Sequence, residues 1–247
     1  MKLTINSETL HLITMTTSNP LLEQNIEQFI KDVVDRYYAA RETFIPHKKI
    51  SRGESRSVAS ETEDLLAYYL TITYPQIEHI YINQNLTPTD NDLKKQIGKT
   101  LVKPDLVICN QGTIKLLIDV KMDLGYIRNE INDLMNKNNF AIQTLKQKSF
   151  KAKVKRKIHS DEVGLIFDKN AKYIYFVISD KNNKPANLQS TKDLAKRLDS
   201  VEIYTALTNM HPNDYGIDIL EAKNKVKDHL NYLDIQSLDS IMKAALS

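Results

Sequence analysis

The chain has 247 residues, 41% of them hydrophobic and 26% charged, enough to bury a core of its own and too apolar for wholesale disorder. Its 34 Lys and Arg against 31 Asp and Glu leave a formal charge of +3, too mild to mark a nucleic-acid binder by itself. A single cysteine, Cys109, excludes an intrachain disulfide framework and a multi-cysteine zinc site. No apolar run approaches the ~18 residues a membrane crossing needs, and Asn6, Ser7, Glu8 and His11 interrupt any secretory core, so the expectation is a soluble, cytoplasmic protein without a membrane partner.

A strand is expected at 10–15. Asn19-Pro20 then reads as a helix cap followed by a first-turn proline, whose missing N–H costs nothing there. Leu22, Ile26, Phe29, Ile30, Val33, Val34, Tyr37 and Tyr38 follow at three- and four-residue spacings and predict a helix to about 43. The polar segment 45–56 reads as a loop. Leu65, Leu66, Tyr69 and Leu70 predict a second helix over 60–71. Residues 77–82 alternate like a strand, and 86–103 is polar and irregular. Two short apolar runs, 106–109 and 114–120, flank Asn110-Gln111-Gly112-Thr113, a hairpin-type connection with glycine available for positive φ. A long helix is predicted over 128–147, a strand over 172–179, a helix over 191–198, a strand over 201–207, and one broken helix or two over 219–246.

Six glycines, seven prolines and no internal repeat leave little room for flexible linkers. A single domain over 1–247 is expected, with a helical segment to about 56, a core over about 57–207 and a helical segment over about 208–247. Strands interleaved with helices predict an α/β fold with a mixed sheet flanked by helices.

The chemistry concentrates at the hairpin. Leu116-Leu117-Ile118 is apolar on both faces, as in a central strand covered on both sides. Asp119 ends that run, and a charge there must be paired, bound to a metal or at the strand end. Asp119 and Lys121, two apart, leave the same face. Asp105 begins the antiparallel neighbour, and pairing across the turn brings it opposite about 118 or 119. Two converging carboxylates repel, which a divalent cation relieves. Hard oxygen ligands left partly open suit Mg²⁺, and a lysine beside the metal can orient water for in-line attack on phosphorus. These residue types match metal-dependent phosphodiester hydrolysis.

Pro104-Asp105, followed after 13 residues by Asp119-Val120-Lys121, resembles the signature of the PD-(D/E)XK nuclease superfamily, most of all its type II restriction endonucleases. That family usually adds a glutamate from a preceding helix, and Glu63 in Glu63-Asp64-Leu65-Leu66-Ala67-Tyr68-Tyr69-Leu70 is similar to that pattern, with Glu61 as fallback. The resemblance covers about 57–125. It implies a restriction-endonuclease-like fold: a helix, a three-stranded meander, a helix and a further strand. It further implies Asp105 and Asp119 as Mg²⁺ ligands, with the Val120 carbonyl completing the shell. Lys121 would act on the water, and Glu63 would bind metal directly or through water. The expected function is then a Mg²⁺-dependent endonuclease cutting double-stranded DNA in a restriction or defence system, as a homodimer where the target is palindromic. The alternatives are a structure-selective resolvase or repair nuclease, and a DNA-binding module that keeps the fold without cutting.

Other residues have plainer readings. Ser60-Glu61-Thr62-Glu63 is also a capping box, in which Glu63 would reach back to the Ser60 amide. Asp64 and Asp123 are expected to face solvent. Ser55, Ser57 and Cys109 lack a spaced histidine or a nucleophile-elbow sequence, and Cys109 is expected in a core strand. His211-Pro212-Asn213-Asp214 reads as a turn. Lys146, Lys148, Lys151, Lys153, Lys155, Arg156 and Lys157 place seven cations in twelve residues, and His47, Lys48, Lys49, Arg52 and Arg56 form a second group. Segregated charge of this kind suits DNA phosphates, or else a solvated loop.

Overall fold

Side-chain alternation along one strand organises the molecule. In Thr113–Lys121 (β4), Leu116 and Ile118 bury into one hydrophobic core and Leu117 into another. The strand is therefore covered on both faces, as its unbroken apolar run predicts. A bulge at Lys115 re-aims the chain. It puts Ile114 on the Leu117 side and turns Lys115 onto Asp168 at 2.7 Å. The structure, a computed structural model, describes residues 20–43, 54–97, 103–125, 127–155 and 160–247.

Ahead of β4 come helices Pro20–Ala40 (α1) and Ala59–Thr73 (α2), strands His79–Ile82 (β1) and Leu86–Pro88 (β2), helix Asn91–Ile97 (α3) and strand Leu106–Asn110 (β3). After it come helix Ile131–Leu145 (α4), strands Ser149–Lys155 (β5) and Ser160–Ser179 (β6), helix Pro185–Ala195 (α5) and strand Val201–Leu207 (β7). Helix Ile219–Lys225 (α6), a single 3₁₀ turn at Lys227–His229 and helix Tyr232–Leu246 (α7) close the chain. β1, β3 and β4 form an antiparallel meander, and β4, β6 and β7 run parallel, giving a mixed sheet with helices on both faces. The apolar stripe of α1 (Leu22, Ile26, Phe29, Val33) packs with α2 and α7 on one face; Ile131, Met135 and Ile142 of α4 pack on the other. Among the described residues, no helix is long and apolar enough to cross a membrane.

The β3–β4 turn forms as its sequence predicts. Gln111 and Gly112 both take positive φ, 49° and 67°, the two-residue turn whose twist matches the flanking strands. Three expectations are corrected. The segment read as irregular over 86–103 contains β2 and α3. The strand expected at 172 begins at Ser160. The basic stretch is only in part a loop: its residues over 149–155 form β5, paired antiparallel with Ser160–Ile166. Phe150, Ala152 and Val154 alternate with Lys151, Lys153 and Lys155, a strand period hidden beneath a charge run. The expected strand at 10–15 and the Asn19 cap lie outside the described residues.

Positive φ costs a side chain roughly 1–2 kcal/mol. Gly112→Ala is therefore expected to destabilise the protein by about that amount in chemical denaturation. Gly164, on β6, has no atom within 4 Å of where a Cβ would stand and no positive φ. Gly164→Ala should be neutral or stabilise by under ~1 kcal/mol. Equal losses at the two sites would refute the turn argument.

Candidate active site

β4 delivers two charged side chains to its exit. Leu106 pairs with Ile118, so Asp105, one residue ahead of β3, stands beside Asp119. The Asp105 carboxylate is fixed there because its Oδ2 accepts the Val120 N–H at 2.7 Å. Lys121 Nζ donates to Asp119 Oδ1 at 2.5 Å, and both side chains are largely buried. Burial, helped by the neighbouring Asp105, raises the Asp119 carboxyl to about 7 against the pull of Lys121. Tyr173, buried on β6, has its hydroxyl raised well above the usual tyrosine value by burial, with the negative field of Asp119 and Asp105 adding to it.

Glu63 joins this field. It is buried on the first turns of α2, and its carboxyl is raised by burial first and by Asp105 next, with Asn83 and Lys121 opposing. The expected capping box does not form. α2 begins at Ala59 with Val58 as its cap, so Ser60 is already inside the helix. Glu63 instead accepts from the Asn83 side-chain amide. Asn83 was not foreseen: its φ of 52° turns the chain after β1, and its own N–H bonds the Asp105 carbonyl at 2.7 Å. One asparagine thus ties Glu63 to Asp105. Glu61 faces away, paired with Arg36 at 3.4 Å on α1, so it does not replace Glu63. Asp64 is exposed as expected, and Cys109 is buried in β3 with its thiol raised to about 12 by burial.

Asp123 does not face solvent. Its Oδ1 accepts the Gly125 N–H at 2.6 Å, and its Oδ2 accepts the Asn182 amide at 2.6 Å. His211 Nε2 approaches the same Oδ2 at 3.5 Å. The His211 hydrogen bond, with those from Asn182 and Gly125, outweighs burial and holds the Asp123 carboxyl down at about 2. His211 accepts the Asn213 N–H on Nδ1 and packs edge-on against Tyr37 with ring centroids 5.6 Å apart. The segment read as a plain turn is therefore one wall of a cavity. That cavity, about 690 Å³, opens beside Lys121 and is lined also by Tyr37, Asp123, Lys181, His211 and Tyr215. It lies outside the carboxyl ends of the parallel strands, where open α/β sheets bind ligands.

The described members of the basic groups separate from this site. Lys48, Lys49, Arg52, Arg156 and Lys157 lie outside the described residues, as does His47. Arg56 donates to the Ala39 carbonyl at 3.0 Å, and its amide bonds the Ala40 carbonyl, so it caps α1. Lys151 pairs with Glu162 at 2.7 Å, and Lys146 and Lys148 sit between α4 and β5. Lys153 and Lys155 are placed only as β5 ladder positions opposite Glu162 and Ser160. Ser149 pairs with Ile166, which also pairs with Thr113 at the start of β4. The basic hairpin therefore begins at the opposite end of β4 from Lys121, about 26 Å away along extended chain. The structure does not bring it to the carboxylates.

Compared with known proteins, the chain matches no family model, no curated protein and no solved structure.

Among the described residues, no set of three or more His, Cys, Asp and Glu side chains closes into a metal cage. What the site offers is an open pair of hard oxygen donors, Asp105 and Asp119, with Glu63 nearby. That donor set suits Mg²⁺, which keeps several waters and needs only one or two carboxylates.

A carboxyl held low in the fold stabilises it above the unfolded value near 4, and that stability is lost as pH falls through about 2. The advantage of the wild-type protein over Asp123→Asn, measured as a urea midpoint, should be full at pH 5 and shrink steadily between about pH 4 and 2. A gap that stays constant across this range would show that Asp123 does not gain its stability from the charged form.

Proposed function

We propose that this protein is a Mg²⁺-dependent endonuclease that hydrolyses DNA phosphodiester bonds, of the PD-(D/E)XK kind, in a restriction or defence setting. The observation that carries the reading is the convergence of Asp105, Asp119 and Lys121 at the exit of one central strand, with Asp105 pinned to the Val120 amide. Two carboxylates forced together in a poorly hydrated place are costly unless a cation or a proton intervenes. The order of elements from α2 through the β1–β3–β4 meander, α4 and β6 fits the restriction-endonuclease-like arrangement that the motif implies.

In this reading Asp105, Asp119 and the Val120 carbonyl hold Mg²⁺, and Glu63 joins them directly or through water. The ion supplies charge neutralisation at the scissile phosphate. The chain's own groups do the rest. The Val120 N–H and Asn83 fix Asp105 and Glu63 before substrate arrives, so little reorganisation is needed. Lys121, with its ammonium among the carboxylates, holds a water for in-line attack on phosphorus and offsets charge on the phosphate oxygens. Burial makes each of these interactions stronger than it would be in water. On a palindromic site the enzyme works as a two-fold dimer, because a symmetric target needs a symmetric protein.

Plasmid DNA incubated with the protein and Mg²⁺ should be cut, and EDTA should stop the reaction. Asp105→Ala and Asp119→Ala should each abolish cleavage while DNA binding survives or tightens, since each carboxylate also repels phosphate. Lys121→Ala should slow cleavage about 10²–10⁴-fold, and Lys121→Arg should rescue poorly, because the broader guanidinium holds its donors in a rigid planar fork and cannot place the same water. Normal turnover by either aspartate variant sinks the assignment. Binding without cutting by the wild-type protein would leave the non-cleaving module.

A further inference from the structure

Resting on the nuclease reading, we infer that the cavity beside Lys121 receives an unpaired nucleobase next to the scissile phosphate, with the Tyr215 ring as its stacking platform. Tyr215 is 69% exposed, yet it is held from several sides. Its hydroxyl lies 2.9 Å from Ser55 Oγ and 3.3 Å from the Asn213 side-chain nitrogen. The Arg41 guanidinium backs the ring at 4.3 Å and itself lies 3.8 Å from the centre of the Tyr38 ring. Arg41 is locked in turn, donating to Asn213 Oδ1 at 2.9 and 3.1 Å and to the Asp214 carbonyl at 2.7 Å. Tyr38 donates to the carbonyls of Asp214 and Ile217. An exposed aromatic ring normally samples several rotamers; this one is braced with a cation behind it.

The guanidinium occupies one side of the ring, and the ring lines the cavity. Bases stack on such platforms regardless of sequence because every base has a π-face. The remaining walls combine apolar side chains, among them Met122 and Ile127, with the polar groups that a nucleotide needs. Lys121 and Lys181 each pair with a carboxylate, Asp119 and Asp214, and keep further N–H donors for a ligand, while Asp123 is fixed by three donors with acceptor capacity left on its Oδ1. A volume of about 690 Å³ holds a base with its sugar. A base inside a duplex presents no free face, so the platform favours DNA with an unpaired, flipped or single-stranded nucleotide beside the cut. Within the nuclease reading, this sets a flipped or unpaired nucleotide next to the cut phosphate.

The test uses Asp119→Ala protein in EDTA, so that nothing is cut, and three labelled DNAs of one sequence: a blunt duplex, the same duplex with one bulged base, and the single strand. Fluorescence anisotropy should show tighter binding to the bulged duplex than to the blunt one. Adding Tyr215→Ala should cost about tenfold on the bulged and single-stranded DNAs, the scale of one lost stack, and leave the blunt duplex unchanged. Tyr215→Phe keeps the ring and should keep most of the affinity. A 2-aminopurine at the bulge should be quenched on binding and recover its emission with Tyr215→Ala, a signal that a purely structural tyrosine does not give. Equal binding of blunt and bulged DNA, or an equal loss on both, overturns the platform while leaving the nuclease reading standing. Failure of the protein to bind any of the three removes the nuclease reading itself.

Discussion

Two carboxylates at the exit of a buried strand set the terms for the rest of this structure. Asp119 leaves β4 where that strand is still covered on both faces, and Asp105 reaches the same point from the neighbouring strand. Asp119 cannot be hydrated as a surface acid would be, and the nearby Asp105 adds to its difficulty. The protein answers with fixed donors: the Val120 amide on Asp105, the Lys121 ammonium on Asp119, and the Asn83 amide on Glu63. These partners offset the repulsion only in part, because burial still holds the Asp119 carboxyl well above the usual carboxylate range. A proton or a cation would relieve that repulsion, and this imbalance is the physical basis of the proposed function.

A second set of interactions surrounds the first without sharing its charge problem. Asp123 lies two residues beyond Lys121, yet its environment is the reverse of that of Asp119: three donors converge on it and its carboxyl is held low. Through His211 and Asn182 it joins the turn after β4 to the segments following β7 and β6. Lys121 thus stands between a carboxylate that resists ionisation and one that is fully committed to it. The segment after β7 also carries Asn213, Asp214 and Tyr215, which clasp Arg41 at the end of α1. Helix α1 is therefore more than a cover for the sheet, since its last residues brace the rim of the cavity.

Much of the hairpin was legible in the chain alone. Gln111-Gly112 between two apolar runs specifies a two-residue turn, which alone would set Asp105 opposite Ile118; the bulge at Lys115 shifts the pairing by one and places Asp105 beside Asp119. The α1 stripe was equally readable, because Leu22, Ile26, Phe29 and Val33 repeat at helical spacing. Glu63 was ambiguous for a local reason. Ser60 and Glu63 stand at capping-box spacing, and only the start of α2 at Ala59 shows that Ser60 lies too far inside to cap. β5 was missed because lysines at every second position read first as a charge cluster.

The sequence by itself determined the pieces whose causes are local: helix faces, the β3–β4 turn, and the strand ends that carry the aspartates and the lysine. Tertiary structure alone decided what meets them. Tyr37, Asp123, Lys181, His211 and Tyr215 come from four separate segments, and they surround Lys121 only because β4, β6 and β7 run parallel and end on the same side of the sheet. It likewise sent the basic hairpin to the other end of β4, since β5 pairs with the first half of a long β6 rather than with its end. Strand order and direction arise from burying two apolar faces at once. That is a property of the whole chain's packing, and no local spacing of residues encodes it.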